Sequence, residues 1–149
     1  MAADPTPSEP AAGALLDPAQ AEALAARAAE MRQWSYAPYS NYAVGAAILA
    51  ASGRVYDGVN VENAAYPDSI CAERTAAVKA VSEGERQFVA VAVSTRDGGS
   101  PCGSCRQVLA EFGLDAAVFI ADAKGQIVRR TTVRELLPHA FGPDSLKLD

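Results

Sequence analysis

The residues of this chain best suited to chemistry are three cysteines and one glutamate. Cys71 is followed two positions later by Glu73, in Cys71-Ala72-Glu73-Arg74, and the other two thiols stand in Pro101-Cys102-Gly103-Ser104-Cys105. Three soft thiolates suit a zinc ion, which takes four ligands in a tetrahedron. Three protein ligands leave one open corner, where a water can be activated. Glu73 is within reach of such a water and could move its proton, so the pattern reads as a catalytic zinc site. Cys-x-x-Cys by itself is equally the mark of a structural zinc knuckle or a redox pair. A structural site closes with a fourth ligand, and the chain has no fourth Cys. Its single histidine, His139, lies far along in a loop-like stretch and reads as a surface or interface residue.

Composition narrows the class. At 149 residues the chain is one domain's worth, long enough for a core without disulfide staples. An odd number of cysteines leaves one over in a disulfide framework, whereas a three-thiolate site uses them all, so a reducing, cytoplasmic setting is expected. No apolar run approaches the ~20 residues that span a bilayer, and the acidic, Pro-rich start does not resemble a secretory signal. The formal net charge is −5. A polynucleotide binder presents a basic face to phosphates, and Arg129-Arg130 is the one short basic run here, so a small neutral substrate is favoured over nucleic acid or a membrane.

The elements that must position these residues can be followed along the chain. Residues 1–13 are Ala/Pro/Ser/Glu-rich and aperiodic, which predicts a disordered tail, with a single domain over 14–149. Asp17-Pro18 starts a helix, and Leu24, Ala25, Ala28 and Met31 carry it at helical spacing to about Gln33. Ala37 to Asn41 is a loop. Tyr42 to Ala51 and Arg54 to Val59 predict two strands of a hairpin across Ser52-Gly53. A helix runs from Cys71 to its stop at Gly84. Phe88 to Val93, apolar throughout, predicts a central strand covered on both faces. A second short helix follows Pro101 and stops at Gly113, strands follow at Ala116 to Ala121 and Gln126 to Arg130, and Thr132 caps a last short helix to Leu137. Alternating strands and helices predict an α/β fold, a three-layer α/β/α domain with a mixed sheet of about five strands.

Both thiol stretches thus open helices. A helix N-terminus is partly positive and favours the thiolate that zinc needs. Cys102 and Cys105, three apart, share one face of a first turn. Three thiolates on one Zn2+ leave a net negative charge, and the positions of Arg74 and Arg106 let at least one guanidinium reach back to the sulfurs as a hydrogen-bond donor.

Beyond these motifs the chain resembles the small, homotetrameric zinc-dependent cytidine deaminases. That family carries a zinc ligand, any residue and Glu, followed later by Pro-Cys-x-x-Cys, including a three-cysteine variant. The likeness extends through 37–45 (APYSNYAVG), 60–66 (NVENAAY), 71–76 (CAERTA), 101–107 (PCGSCRQ) and 136–142 (LLPHAFG), nearly everything from about Ala19 to Pro143. The resemblance implies hydrolytic deamination of cytidine and 2′-deoxycytidine, with release of ammonia, in pyrimidine salvage. It implies that Cys71, Cys102 and Cys105 hold one zinc per subunit and that Glu73 protonates ring nitrogen N3, takes the proton of the attacking water and helps ammonia leave. It implies Asn60 and Glu62, with Val61 between them, at the ribose hydroxyls. Tyr42 would pack on the base, where many relatives have Phe, and the Ala72 backbone would donate to the base carbonyl. Phe141 would reach a neighbouring subunit's site in a homotetramer. Other readings stay open: a related deaminase of a cytosine-containing antibiotic nucleoside, an editing deaminase of nucleic acid, or a non-catalytic zinc-stabilised interaction module.

Overall fold

In the computed structural model, which describes residues 16–146, Asp17 opens the first helix as expected. Its carboxylate accepts from the Gln20 N–H at 2.8 Å, the Gln20 side chain returns the bond to the Asp17 N–H, and Pro18 fills the first helical position. This helix, α1, spans Pro18–Met31 and continues into a single 3-10 turn over Arg32–Trp34. Ala21, Leu24, Ala25 and Ala28 form its buried stripe. The tail assigned to 1–13 lies outside the described residues.

The sheet has five strands: β1 (Gly45–Ala50), β2 (Val55–Val59), β3 (Phe88–Ser94), β4 (Ala117–Ala121) and β5 (Ile127–Thr132), in the order β2-β1-β3-β4-β5. Only β3 and β4 run parallel; the other pairs are antiparallel. The sheet is therefore mixed, as predicted. Side chains alternate across it. Ala90, Ala92, Phe119 and Ala121 face α1, so that layer is built on small residues, while Ile48, Val91, Val93, Val118 and Ile120 face the opposite layer. That second layer consists of α2 (Ala72–Ser82), α3 (Gly103–Gly113) and α4 (Val133–Leu136), the last capped by Thr132. A final helix, α5, spans Pro143–Leu146, where no helix was expected. Among the described residues no helix is long and apolar enough to cross a membrane.

The first strand begins three residues later than predicted. The amide of Asn60 explains it: its Nδ2 donates to the Tyr42 carbonyl at 2.8 Å and its Oδ1 accepts from the Val44 N–H at 3.0 Å. These backbone groups are satisfied by a side chain rather than by a ladder, and Tyr42 is released into a loop.

The register then decides where the chemistry sits. Gly45, at the start of β1, pairs with Val59 at the end of β2 and with Ser94 at the end of β3. The chain leaves β2 toward Cys71 and leaves β3 toward Cys102, so both helix starts emerge at the same end of the strands. Gly58 lets α2 settle there. A Cβ at Gly58 would lie 2.6 Å from the Ala76 backbone nitrogen and 2.8 Å from the Ala72 carbonyl.

Candidate functional site

Cys71 and Cys102 occupy the N-cap positions of α2 and α3, both with extended backbone, and neither side chain caps its own helix. Their sulfurs are free to point at one another, and Cys71 Sγ lies 3.8 Å from Cys102 Sγ. Cys105, one turn into α3 and fully buried, completes a trio whose sulfurs all lie within 4.8 Å of each other. A tetrahedron with metal–sulfur arms of about 2.3 Å has edges of about 3.8 Å, so the trio fits one Zn2+.

Electrostatics agree with that fit. The Cys71 thiol is brought down to about 5, first by hydrogen bonding with Cys105 and then by Arg74 and Cys102, against the opposing effect of burial. The Cys105 thiol is pushed up by Cys71 beside it and by burial. Thiols packed this closely can all ionise only against a cation.

Glu73 is 4% exposed and stands in the first turn of α2. Burial pushes its carboxyl above the ordinary range and the Cys71 charge adds to this, while a hydrogen bond from Cys105 opposes them. Arg74 reaches back as expected, with Nη2 3.5 Å from Cys71 Sγ. Arg106 does not. Its guanidinium donates to the Pro101 carbonyl, the Leu136 carbonyl and Ser100 Oγ, at 2.8, 2.8 and 3.0 Å. One position past Cys105, it is turned about 100° around the helix from that sulfur, and it ties α3 to the end of α4 instead.

A cleft of about 700 Å³ opens beside the sulfurs. Cys71, Cys102, Ala72, Glu73 and Arg74 form one end of its lining, and Tyr42, Asn60 and Glu62 another part. Ala72 is the first residue of α2, so its N–H is one of the donors a helix start leaves unpaired. Asn60 is more committed to the fold than its motif suggests. Its Oδ1 accepts from Ser35 Oγ as well as from Val44, and one of its two amide hydrogens goes to Tyr42. One donor hydrogen is left for a ligand. Glu62 Oε1 accepts from the Tyr39 and Ser40 N–H groups at 2.9 and 3.1 Å, and hydrogen bonding from Ser40 holds this carboxyl below its ordinary range. It is therefore an anion that can still accept from a hydroxyl.

Two of the expected residues lie away from the cleft. Val61 spends its backbone on Ile70, donating at 3.0 Å and accepting at 2.9 Å, and does not line the cavity. Phe141 is 59% exposed and is likewise not part of its own chain's lining. Conversely, Thr95, Gly99 and Ser100 line the cleft and were not singled out in the sequence. They follow β3, one of the parallel pair. The signal that could have found them is the tendency of ligands to bind beyond the carboxyl ends of parallel strands.

Residues 18–121 match the family described as the cytidine and deoxycytidylate deaminase zinc-binding region. The chain is 49% identical over 128 residues to a cytidine deaminase of Sporosarcina psychrophila, covering 84% of this chain and 93% of that one. It is 46% identical over 126 residues to a cytidine deaminase of Halalkalibacterium halodurans, covering 83% and 95%. Among solved structures, a cytidine deaminase from Burkholderia pseudomallei superposes with a TM-score of 0.75 at 44% identity, covering 80% of this chain and 97% of that one.

Proposed function

The chain belongs to the cytidine and deoxycytidylate deaminase zinc-binding family, and from that premise we propose that it hydrolyses the exocyclic amine of cytidine and 2′-deoxycytidine, giving uridine or 2′-deoxyuridine and ammonia. The observation that carries this reading is the placement of Glu73: a buried carboxyl in the first turn of the helix that starts at Cys71, lining the cleft that opens on the sulfurs. Cys71, Cys102 and Cys105 would hold Zn2+, which would supply the Lewis acidity that makes water a nucleophile near neutral pH.

The chain's own residues do the rest. Tyr42 packs on the base and the Ala72 N–H donates to the base carbonyl. Asn60, with its remaining amide hydrogen, and Glu62 take the ribose hydroxyls. Glu73 moves water's two protons in turn: it takes the first as the oxygen adds to C4 and delivers it to N3, then takes the second from the new C4 hydroxyl and delivers it to the departing amine, so that the oxygen stays on uridine and ammonia leaves. The fixed anion of Glu62 favours a neutral nucleoside over a phosphorylated one. An accessible cleft at the metal ligands counts against a closed, purely structural zinc module.

We also place the enzyme in the cytoplasm, in pyrimidine salvage, as a homotetramer. Trp34, Tyr66 and Phe141 are 68%, 71% and 59% exposed, which supports an interface that covers them and brings Phe141 toward a neighbour's cleft. The test is an absorbance assay of purified protein with cytidine, with zinc measured on the same sample. Conversion to uridine by zinc-loaded protein is expected, and loaded protein with no turnover on cytidine or deoxycytidine overturns the proposal. Light scattering reads the oligomer.

A further inference from the structure

The hydroxyl of Tyr42 sits in a built seat. It donates to Asp97 Oδ1 at 2.5 Å, and the same carboxylate oxygen accepts from Thr95 Oγ1 at 3.2 Å. Thr95 Oγ1 in turn accepts from the Gly99 N–H at 2.6 Å. Gly99 leaves room for the hydroxyl, because a Cβ there would come within 2.8 Å of the Tyr42 hydroxyl oxygen and push it from this seat. The guanidinium carbon of Arg96 lies 5.1 Å from the centre of the Tyr42 ring. Burial, and then the bond to Asp97, raise the Tyr42 hydroxyl, and the bond from Tyr42 lowers Asp97. The phenol thus stays a donor and the carboxylate an acceptor across neutral pH.

Residues 95–100 connect the end of β3 to Pro101-Cys102. One short network therefore joins the aromatic wall of the cleft to the segment that delivers a metal-ligating thiol. A phenyl ring in place of Tyr42 would keep its apolar contacts but lose this tie. We propose that Asp97 is a positioning residue for the deamination: with Thr95 and Gly99 it locks the Tyr42 ring at the angle at which the base stacks, and holds the 95–100 segment against the cleft. This rests on the reading of Tyr42 as the wall for the base.

The test is steady-state kinetics on cytidine, at equal zinc content, for Asp97→Ala, Asp97→Asn, Tyr42→Phe, the Tyr42→Phe/Asp97→Ala double variant and Tyr42→Ala. Loss of one hydrogen bond predicts a KM raised about two- to tenfold in Asp97→Ala, with kcat within about twofold. Asp97→Asn keeps an acceptor oxygen and returns KM to near the parent value. Tyr42→Phe raises KM by the same factor as Asp97→Ala, and adding Asp97→Ala to it changes nothing further. Equal KM increases from Asp97→Ala in both backgrounds, or no increase in either, overturn the proposal. Should Asp97→Ala not fold, Tyr42→Phe alone decides: an unchanged KM overturns it. Tyr42→Ala separates the two levels. If it raises KM while Asp97→Ala does not, only the positioning role fails; if it leaves KM at the parent value, the wall itself was misread and the positioning role falls with it.

Discussion

Arg74 Nη2 lies 3.5 Å from Cys71 Sγ, while Nε of the same guanidinium is buried without a partner among the described residues. A cation is thus committed to a sulfur that hydrogen bonding already draws toward its thiolate. Three thiolates would outweigh the charge of one Zn2+, and a guanidinium at this distance could disperse the excess. Arg74→Ala should weaken zinc affinity about 10- to 100-fold, the usual cost of losing an outer partner of a metal ligand. Arg74→Lys, a point charge without the fork, should recover only part of it. Competition with a chromogenic chelator measures this, and unchanged affinity in Arg74→Ala would retire the role.

Glu73→Gln should separate metal binding from turnover. The amide is nearly isosteric, fits the same buried position and cannot shuttle protons. Zinc content should stay at that of the parent while kcat falls by at least about 10²- to 10⁴-fold, the range for a positioned acid or base. Metal analysis beside the absorbance assay reads both. A zinc-loaded variant with kcat within a few-fold of the parent would show that another group moves the protons.

Much of this site was legible before folding was considered. Three cysteines and a Cys-x-Glu spacing name a chemistry, because zinc coordination restricts ligand type and number more tightly than packing restricts a core. The layer order was legible too, since strands and helices alternate along the chain and the apolar run from Phe88 to Val93 suits a strand covered on both faces. Where the reading slipped, a side chain had replaced backbone pairing. Asn60 takes the bonds that would have extended β1 to Tyr42, and Arg106 finds the carbonyls of Pro101 and Leu136 rather than a sulfur. Tyr42 is 18 residues from Asn60 and Leu136 is 30 from Arg106, so tertiary structure brings these partners close. The Asp97–Tyr42 pair, 55 residues apart, was hidden for the same reason.

Removing the metal should loosen the fold as well as stop the reaction. Cys71 and Cys102 occupy the N-cap positions of two different helices, so an ion held by both sulfurs would tie those helix starts together. Without it, crowded thiols must protonate or repel. Chelation should therefore abolish turnover and lower Tm by several degrees, since a ligand that binds only the folded state stabilises it by mass action. Re-addition of Zn2+ should restore both. A chelated sample that retains its Tm would mean that the trio contributes no folding energy.

Gly58→Ala tests how the fold aims Glu73. The added methyl would meet the Ala76 nitrogen and the Ala72 carbonyl, both backbone, at 2.6 and 2.8 Å. Neither can swing aside as a side chain would, so α2 must lift off β2. The expected cost is about 1–3 kcal/mol of stability, typical of overpacking, read by urea denaturation. Because Ala72 and Glu73 begin this helix, kcat should fall as well. Full activity at unchanged stability would show that the helix tolerates the shift.

Asp57 supplies a pH dependence whose sign is set by its partners. On edge strand β2 it accepts from Lys79 of α2 at 2.9 Å and from Arg27 of α1 at 2.7 Å, so one carboxylate links the two helical layers around the sheet edge. Burial acts to raise its pKa, but the bonds from Lys79 and Arg27 outweigh this and leave it below the ordinary value of 3.8. A carboxyl depressed on folding adds stability that is present in full above the unfolded pKa and is lost as pH falls through the folded one. Both cations are nearly half exposed, with side chains 44% and 48% accessible, so screening limits the contribution to about 1 kcal/mol or less. Asp57→Asn should therefore destabilise the protein slightly at pH 7, and the gap from the parent should begin to close near the unfolded pKa of about 4 and vanish only as pH falls through the lower folded value. Urea midpoints measured from pH 7 down to 3 distinguish this from a packing defect, which would keep the two curves apart at every pH.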